Sequence, residues 1–201
     1  MTAPRRLGLY GGTFDPPHNA HLALAAAALQ QLKLDELRIL PTGQAWHKAR
    51  QPSPAAQRLA MTELAFAGLP RVVVDDREIR RSGPTYTIDT LLELKAEFPE
   101  ARMVLVMGAD QASALPSWHR WREILQVAVI AVAGRTQPGQ GSRAFDLESL
   151  PDTGIQRLQM PLQPISATTV RERAARSERI DHLVPAAVAR YIEQNFLYRT
   201  A

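Results

Sequence analysis

The chain is read as an α/β protein, a doubly wound parallel sheet followed by helices at its C-terminal end. Three observations carry that reading. Short apolar, β-prone runs alternate with helix-forming stretches, the pattern of strand–helix–strand units. The first apolar run passes through a glycine turn straight into a stretch rich in alanine and leucine, which suits only a helix. Finally, 201 residues are enough to bury a core on both faces of one sheet. There is no internal repeat and no long linker, so residues 1–201 are taken as one domain.

In chain order, Arg6–Tyr10 is the first strand, and Asn19–Lys33 the first helix, with Leu22, Leu29 and Leu32 toward the core. Glu36–Pro41 is the second strand, stopped by its proline, and Thr42–Pro52 a polar loop. Ser53-Pro54 reads as a capped helix start for a segment running to Ala67, followed by the β-branched strand Val72–Val74. After the turn Arg81-Ser82-Gly83-Pro84 comes a helix over Thr87–Phe98. Met103–Met107 is the most apolar strand and is expected near the centre of the sheet. A short helical stretch over Trp118–Leu125 precedes the strand Val127–Val132 and a Gly-, Gln- and Pro-rich loop, Gly134–Ser142. Beyond Arg157–Met160 the chain ends in helices over Ser166–Arg176 and Pro185–Phe196.

Composition narrows the function. The formal charge of +4 comes mostly from scattered arginines, which favours a small anionic substrate over a nucleic acid. The longest apolar runs, Leu22–Leu29 and Val127–Ala133, fall short of the roughly 18 residues of a membrane span. There is no cysteine, and the first strand follows Met1–Arg6 directly, so a cytoplasmic protein without a leader is expected.

The most informative stretch is Gly11-Gly12-Thr13-Phe14-Asp15-Pro16-Pro17-His18-Asn19-Ala20-His21. It lies on a strand-to-helix turn, where free N–H groups and the helix dipole attract anions and where glycines admit a phosphate to the backbone. His18 and His21, three apart, are expected on one helix face. A zinc pair is the competing use of two histidines, but His47, His119 and His182 are scattered and no thiolate is present. Ligands of open α/β sheets sit at the carboxyl ends of strands, and the Gly108-Ala109-Asp110 turn opens on the same edge. In Ile165-Ser166-Ala167-Thr168-Thr169-Val170-Arg171, Ser166 alone is a helix cap; the hydroxyls and guanidinium together also suit polyphosphate, and spacing leaves both uses open.

Gly-Gly-Thr-Phe-Asp-Pro-Pro-His-x-x-His resembles the signature of the nucleotidyltransferases that carry a His-x-Gly-His motif, with Ala20 where those proteins usually have glycine. Alanine is the better helix former, so both histidines should keep their places. Ile165–Arg171 resembles the second motif of these enzymes, Ile-Ser-x-Thr-x-x-Arg, and Tyr86-Thr87-Ile88-Asp89-Thr90 resembles a segment of their nicotinate-nucleotide adenylyltransferase branch. The resemblance spans nearly the whole chain and implies a Rossmann-like fold.

What it implies for the site is specific. Gly11, Gly12, Thr13, Phe14, His18 and His21 would bind ATP, with His18 and His21 catalytic and His21 stabilising charge at the α-phosphoryl group. Gly108 and Asp110 would meet the ribose, and Ile165, Ser166, Thr168 and Arg171 the β- and γ-phosphates. Thr85, Tyr86, Trp118, His47, Lys48 and Arg135 would surround nicotinate mononucleotide. Mg²⁺ would bridge the phosphates without dedicated protein ligands. Phosphopantetheine as acceptor, CTP as donor, a non-catalytic nucleotide-binding regulator and a nucleic-acid module are the rivals. The absence of a Walker P-loop, a Gly-x-Gly-x-x-Gly fingerprint and a serine or cysteine nucleophile motif argues for direct transfer.

Overall fold

The computed structural model describes residues 4–43, 51–133, 155–161 and 163–199. Six strands form one parallel sheet in the order β3-β2-β1-β4-β5-β6. They are β1 (Arg6–Gly12), β2 (Glu36–Pro41), β3 (Val72–Val74), β4 (Arg102–Gly108), β5 (Ala128–Ala133) and β6 (Gln156–Leu158). The order runs outward in both directions from the β1–β4 pair, so the expected doubly wound, Rossmann-like sheet is the one observed. The reversal point falls where the two glycine turns leave β1 and β4.

Alternation along each strand divides the core into two layers. Leu7 and Leu9 of β1, with Met103, Leu105 and Met107 of β4, point to one face. There they pack on Ile88, Leu91 and Leu94 of α4 (Thr87–Glu97) and Ile124 of α6 (Trp121–Val127). Tyr10, Leu37, Ile39, Val104 and Val106 point to the other. They meet α1 (Asn19–Gln31), α2 (Ala55–Phe66), α7 (Ala167–Ala175) and α8 (Ala186–Gln194) through Leu24, Met61, Val170 and Val188. Leu29 and Leu32 are buried as expected, and Leu22 is partly buried against the same layer.

Several local expectations are corrected. Ser53 does not cap α2 with its side chain; its amide donates to Asp15 Oδ2 at 3.2 Å instead, and the helix begins after Pro54. The first helix stops at Gln31, and Lys33 follows in the left-handed region at φ 49°. A four-residue helix, α3 (Arg77–Arg80), was not legible, being too short to show a period. The Gly108-Ala109-Asp110 turn opens a further short helix, α5 (Ala109–Ala114). A 3-10 turn over Leu115–Ser117 follows, built around Pro116, so Trp118 lies before α6 rather than within it. The Gly134–Ser142 loop lies outside the described residues. Among the described residues no helix is long and apolar enough to cross a membrane.

Candidate functional site

The turn after β1 brings its two histidines into contact. His18 is the N-cap of α1 rather than part of its first turn, with φ −139° and ψ 171°. The rings nevertheless stack, 3.7 Å between centroids and 22° between planes. The His18 amide donates to His21 Nδ1 at 3.1 Å, and the Asn19 amide donates to the Leu183 carbonyl at 2.9 Å. Two donors expected to be free for an anion are therefore used within the protein. Because His21 Nδ1 accepts, a neutral His21 carries its proton on Nε2, leaving that nitrogen as a donor. His18 Nδ1 is buried without a hydrogen bond. Burial holds the His18 pKa down at about 4; burial, then repulsion from His18, holds His21 well below its ordinary value. Both rings are thus neutral at pH 7 in the ligand-free protein.

Phe14 shapes this turn. It adopts φ 49°, a left-handed conformation costly for a bulky residue, and its ring is fully packed. It meets the His21 ring edge-on at 5.1 Å and Tyr10 at 5.6 Å, forming a wall behind the imidazole. Any contact of Phe14 with a ligand would go through its backbone. A Cβ on Gly12 would lie 2.9 Å from the Phe14 ring, so this glycine makes room for the wall. Gly11 is exposed, with nothing nearer than 4.0 Å to a built Cβ, and it leaves the backbone open to approach.

Beneath the turn lies a residue that sequence reasoning missed. Arg58 of α2 is 1% exposed and donates to the carbonyls of Ser53 at 3.0 Å, Thr13 at 2.9 Å and Gly43 at 3.2 Å. It ties the segments following β1 and β2 to the start of α2. The signal was present: Arg58, Met61, Thr62 and Ala65 share the buried stripe of α2, an unusual place for an arginine.

The second motif reaches the first. Ser166 caps α7, its side chain accepting from the Thr169 amide at 3.1 Å. Arg171 donates to the Asp15 carbonyl at 2.7 Å and to Thr168 Oγ1 at 3.0 Å. Thr168 and Arg171 therefore converge as expected, whereas the Ser166 hydroxyl pairs with Thr169 Oγ1 at 2.9 Å. Ser166 and Thr168 are exposed, and Ile165 packs partly buried against the core. At the end of β4, Gly108 is the N-cap of α5, and Asp110 is exposed in its first turn.

Thr85, Tyr86 and Trp118 are half-buried. The Tyr86 ring lies against His119 with centroids 4.2 Å apart, and Tyr86 and Trp118 pack on one core layer. Thr85 Oγ1 is buried without a hydrogen bond. It would lie 3.0 Å from a Cβ on Gly43, which would also collide with the Glu78 carbonyl, so the end of β2 adjoins this region only because residue 43 is glycine. Glu78 is itself buried, accepts from Thr90 Oγ1 at 2.9 Å, and has its pKa pushed up to about 7 by burial. His47, Lys48 and Arg135 lie outside the described residues. Among the described residues, no three His, Cys, Asp or Glu side chains form a group that could hold a metal ion.

A parallel sheet reversing between β1 and β4, with an imidazole pair at that reversal, is the arrangement that a nucleotidyltransferase would be expected to have. A family model described as cytidylyltransferase-like matches residues 9–173. The probable nicotinate-nucleotide adenylyltransferase of Albidiferax ferrireducens is 54% identical over 197 residues, covering 98% of this chain and 100% of that one. The protein of the same name from Methylibium petroleiphilum is 44% identical over 200 residues, covering 96% and 92%. The chain belongs to the nicotinate-nucleotide adenylyltransferase family, within the cytidylyltransferase-like proteins. The Plasmodium falciparum nicotinic acid mononucleotide adenylyltransferase complexed with NaAD superposes with a TM-score of 0.77 at 19% identity, covering 96% of this chain and 97% of that one. The same protein complexed with APC gives 0.76 at 17% identity, with the same coverage. At such identities the likeness speaks for the fold.

Proposed function

We propose that this enzyme joins ATP to nicotinate mononucleotide, giving nicotinate adenine dinucleotide and pyrophosphate in NAD biosynthesis. The observation that carries the reading is the stacked His18–His21 pair on the turn whose Asp15 carbonyl accepts from Arg171, so that both motifs meet in one turn. An oxygen of the acceptor 5′-phosphate attacks the α-phosphorus of ATP in line. A P–O bond forms there as the bond to the bridging oxygen of the β-phosphate breaks, and pyrophosphate leaves with the electron pair. The nucleophile is already an anion, so no strong protein base is required, and catalysis rests on positioning and charge stabilisation.

In this reading His21 Nε2–H donates to the α-phosphoryl oxygens as charge builds there, while His18 lies alongside the triphosphate. Thr13, the Gly11–Gly12 backbone, Ser166, Thr168 and Arg171 hold the phosphates, and Gly108 and Asp110 the ribose. Thr85, Tyr86 and Trp118 line the acceptor, with His47, Lys48 and Arg135 as further phosphate contacts. Both oxygens of the Asp15 carboxylate already accept, from Tyr198 and Ser53, so this turn offers no metal cage of its own. Mg²⁺ would then be carried on the triphosphate, where it would neutralise charge. The residues act together as one domain.

Pyrophosphate release tests the assignment, measured with ATP and Mg²⁺ against nicotinate mononucleotide, nicotinamide mononucleotide and phosphopantetheine in parallel. Release is expected to be fastest with nicotinate mononucleotide. Release only with phosphopantetheine would overturn the acceptor. Nucleotide binding without release from any acceptor would overturn the reaction.

A further inference from the structure

Asp15 ties the β1–α1 turn to distant parts of the chain. It is 4% exposed, and three distant parts of the chain converge on it. Its Oδ2 accepts from the Ser53 amide ahead of α2 at 3.2 Å, and its Oδ1 accepts from the Tyr198 hydroxyl, beyond α8, at 2.8 Å. Its backbone carbonyl accepts from Arg171 of α7 at 2.7 Å. The Tyr198 contact spans 183 positions of sequence, and Tyr198 adopts φ 66°, a left-handed conformation that a non-glycine residue keeps only when its surroundings hold it there. Burial first, and then the Asp15 charge, push the Tyr198 pKa upward, so its hydroxyl remains a donor.

We propose that Tyr198 is a positioning residue of the transferase: by holding the Asp15 carboxylate it fixes the Asp15 carbonyl that aims Arg171 at the polyphosphate. The chain of cause is short. Without the hydroxyl, Asp15 Oδ1 loses the donor that ties it to the segment beyond α8, and the residue that carries it is freer to shift. That residue supplies one of two groups holding the guanidinium, the other being Thr168 Oγ1. The inference rests on the reading of Arg171 as a phosphate ligand. It adds that the segment beyond α8, which carries none of the family motifs, tunes the same site.

The test is Tyr198→Phe in the full chain, a change that keeps the ring and its packing. Tripolyphosphate serves as the probe, because its affinity can be read by calorimetry without any acceptor. Tripolyphosphate affinity should weaken about fivefold to tenfold, and KM for ATP should rise in step. KM for nicotinate mononucleotide should stay within about twofold. In an Arg171→Ala background the same change should leave tripolyphosphate affinity unaltered, since the group being aimed is gone. Lower thermal stability with unchanged tripolyphosphate affinity would reduce Tyr198 to a structural contact and overturn the proposal. So would an undiminished effect in the Arg171→Ala background. Failure of the unaltered enzyme to use nicotinate mononucleotide would count against the function proposed above, and the role of Tyr198 would still be decided by tripolyphosphate affinity.

Discussion

The two sides of the site are built by different rules. On the side proposed to hold the phosphates, polar groups are fixed by hydrogen bonds: buried Arg58 to three carbonyls, half-buried Arg171 to the Asp15 carbonyl, the His18 amide to His21 Nδ1. On the side proposed to hold the acceptor the aromatic rings are half-buried, Tyr86 lies on the exposed His119, and Trp118 follows a 3-10 turn. Under the proposed function, the contrast is the one each ligand part would demand. Charge developing at phosphorus is stabilised only by donors already in place, because reorienting them during reaction would consume the gain. A pyridine ring asks for a flat surface and tolerates a few tenths of an ångström of play.

The largest expected effect comes from removing the support beneath the phosphate turn. Arg58→Met should lower folding stability by about 3–5 kcal/mol, because three carbonyls of separate segments lose a buried donor at once. Urea denaturation would show it, and a midpoint within error of the parent would mean that Arg58 does not organise these segments. Next is His21→Ala, expected to lower kcat about 10²–10³-fold while ATP affinity changes by less than about tenfold. Equal losses in both would remove the transition-state role and make the phosphate side a simple binding surface.

The two sides also carry opposite pH responses. The unfolded chain takes up a proton on His18 near the ordinary 6.5, which the folded form refuses until about 4. That contribution is fully present above pH 6.5 and is lost as pH falls toward 4, by roughly 3 kcal/mol. Glu78, beside the acceptor region, runs the other way. Its folded pKa of about 7 lies above the ordinary 4.5, so its contribution is present below 4.5 and is lost as pH rises through 7, again by roughly 3 kcal/mol. Between those limits the slopes oppose one another. Glu78→Gln keeps an oxygen for Thr90 and removes one slope, so the variant should gain stability over the parent at pH 7.5 and lose it more steeply on acidification. Denaturation midpoints across pH 4.5–7.5 that run parallel in the two proteins would break this pairing.

The same division governs what could be read in advance. The strands were legible because Met103–Met107 and its neighbours are apolar on both faces, and α7 because Ser166 caps it through its own side chain. The histidine pair was legible because i and i+3 are neighbours wherever a helix begins, even with His18 one position outside it. What was not legible depends on contacts distant in sequence. Arg171 was expected at the phosphates, but nothing near Asp15 announces Tyr198, which arrives only when the segment beyond α8 folds back on the sheet. Ser53 carries a good capping side chain yet contributes its amide to Asp15, so a local rule gave way to a long-range one.

The smallest expected effect tests the acceptor side directly. Trp118 packs on the layer that holds Tyr86, and its half-buried indole can offer a ligand contact area, a π-face and one N–H donor. Trp118→Leu keeps an apolar side chain and removes the flat surface. Aromatic contacts of this kind contribute about 0.5–1.5 kcal/mol beyond area, so KM for nicotinate mononucleotide should rise about threefold to tenfold. Since ground state and transition state would lose the contact alike, kcat and KM for ATP should stay near the parent values. Steady-state kinetics with each substrate varied in turn separates the cases. A fall in kcat would mean that the ring sets the angle of attack on the α-phosphorus. The acceptor side would then be as preorganised as the phosphate side, held by half-buried rings where the other uses buried charge.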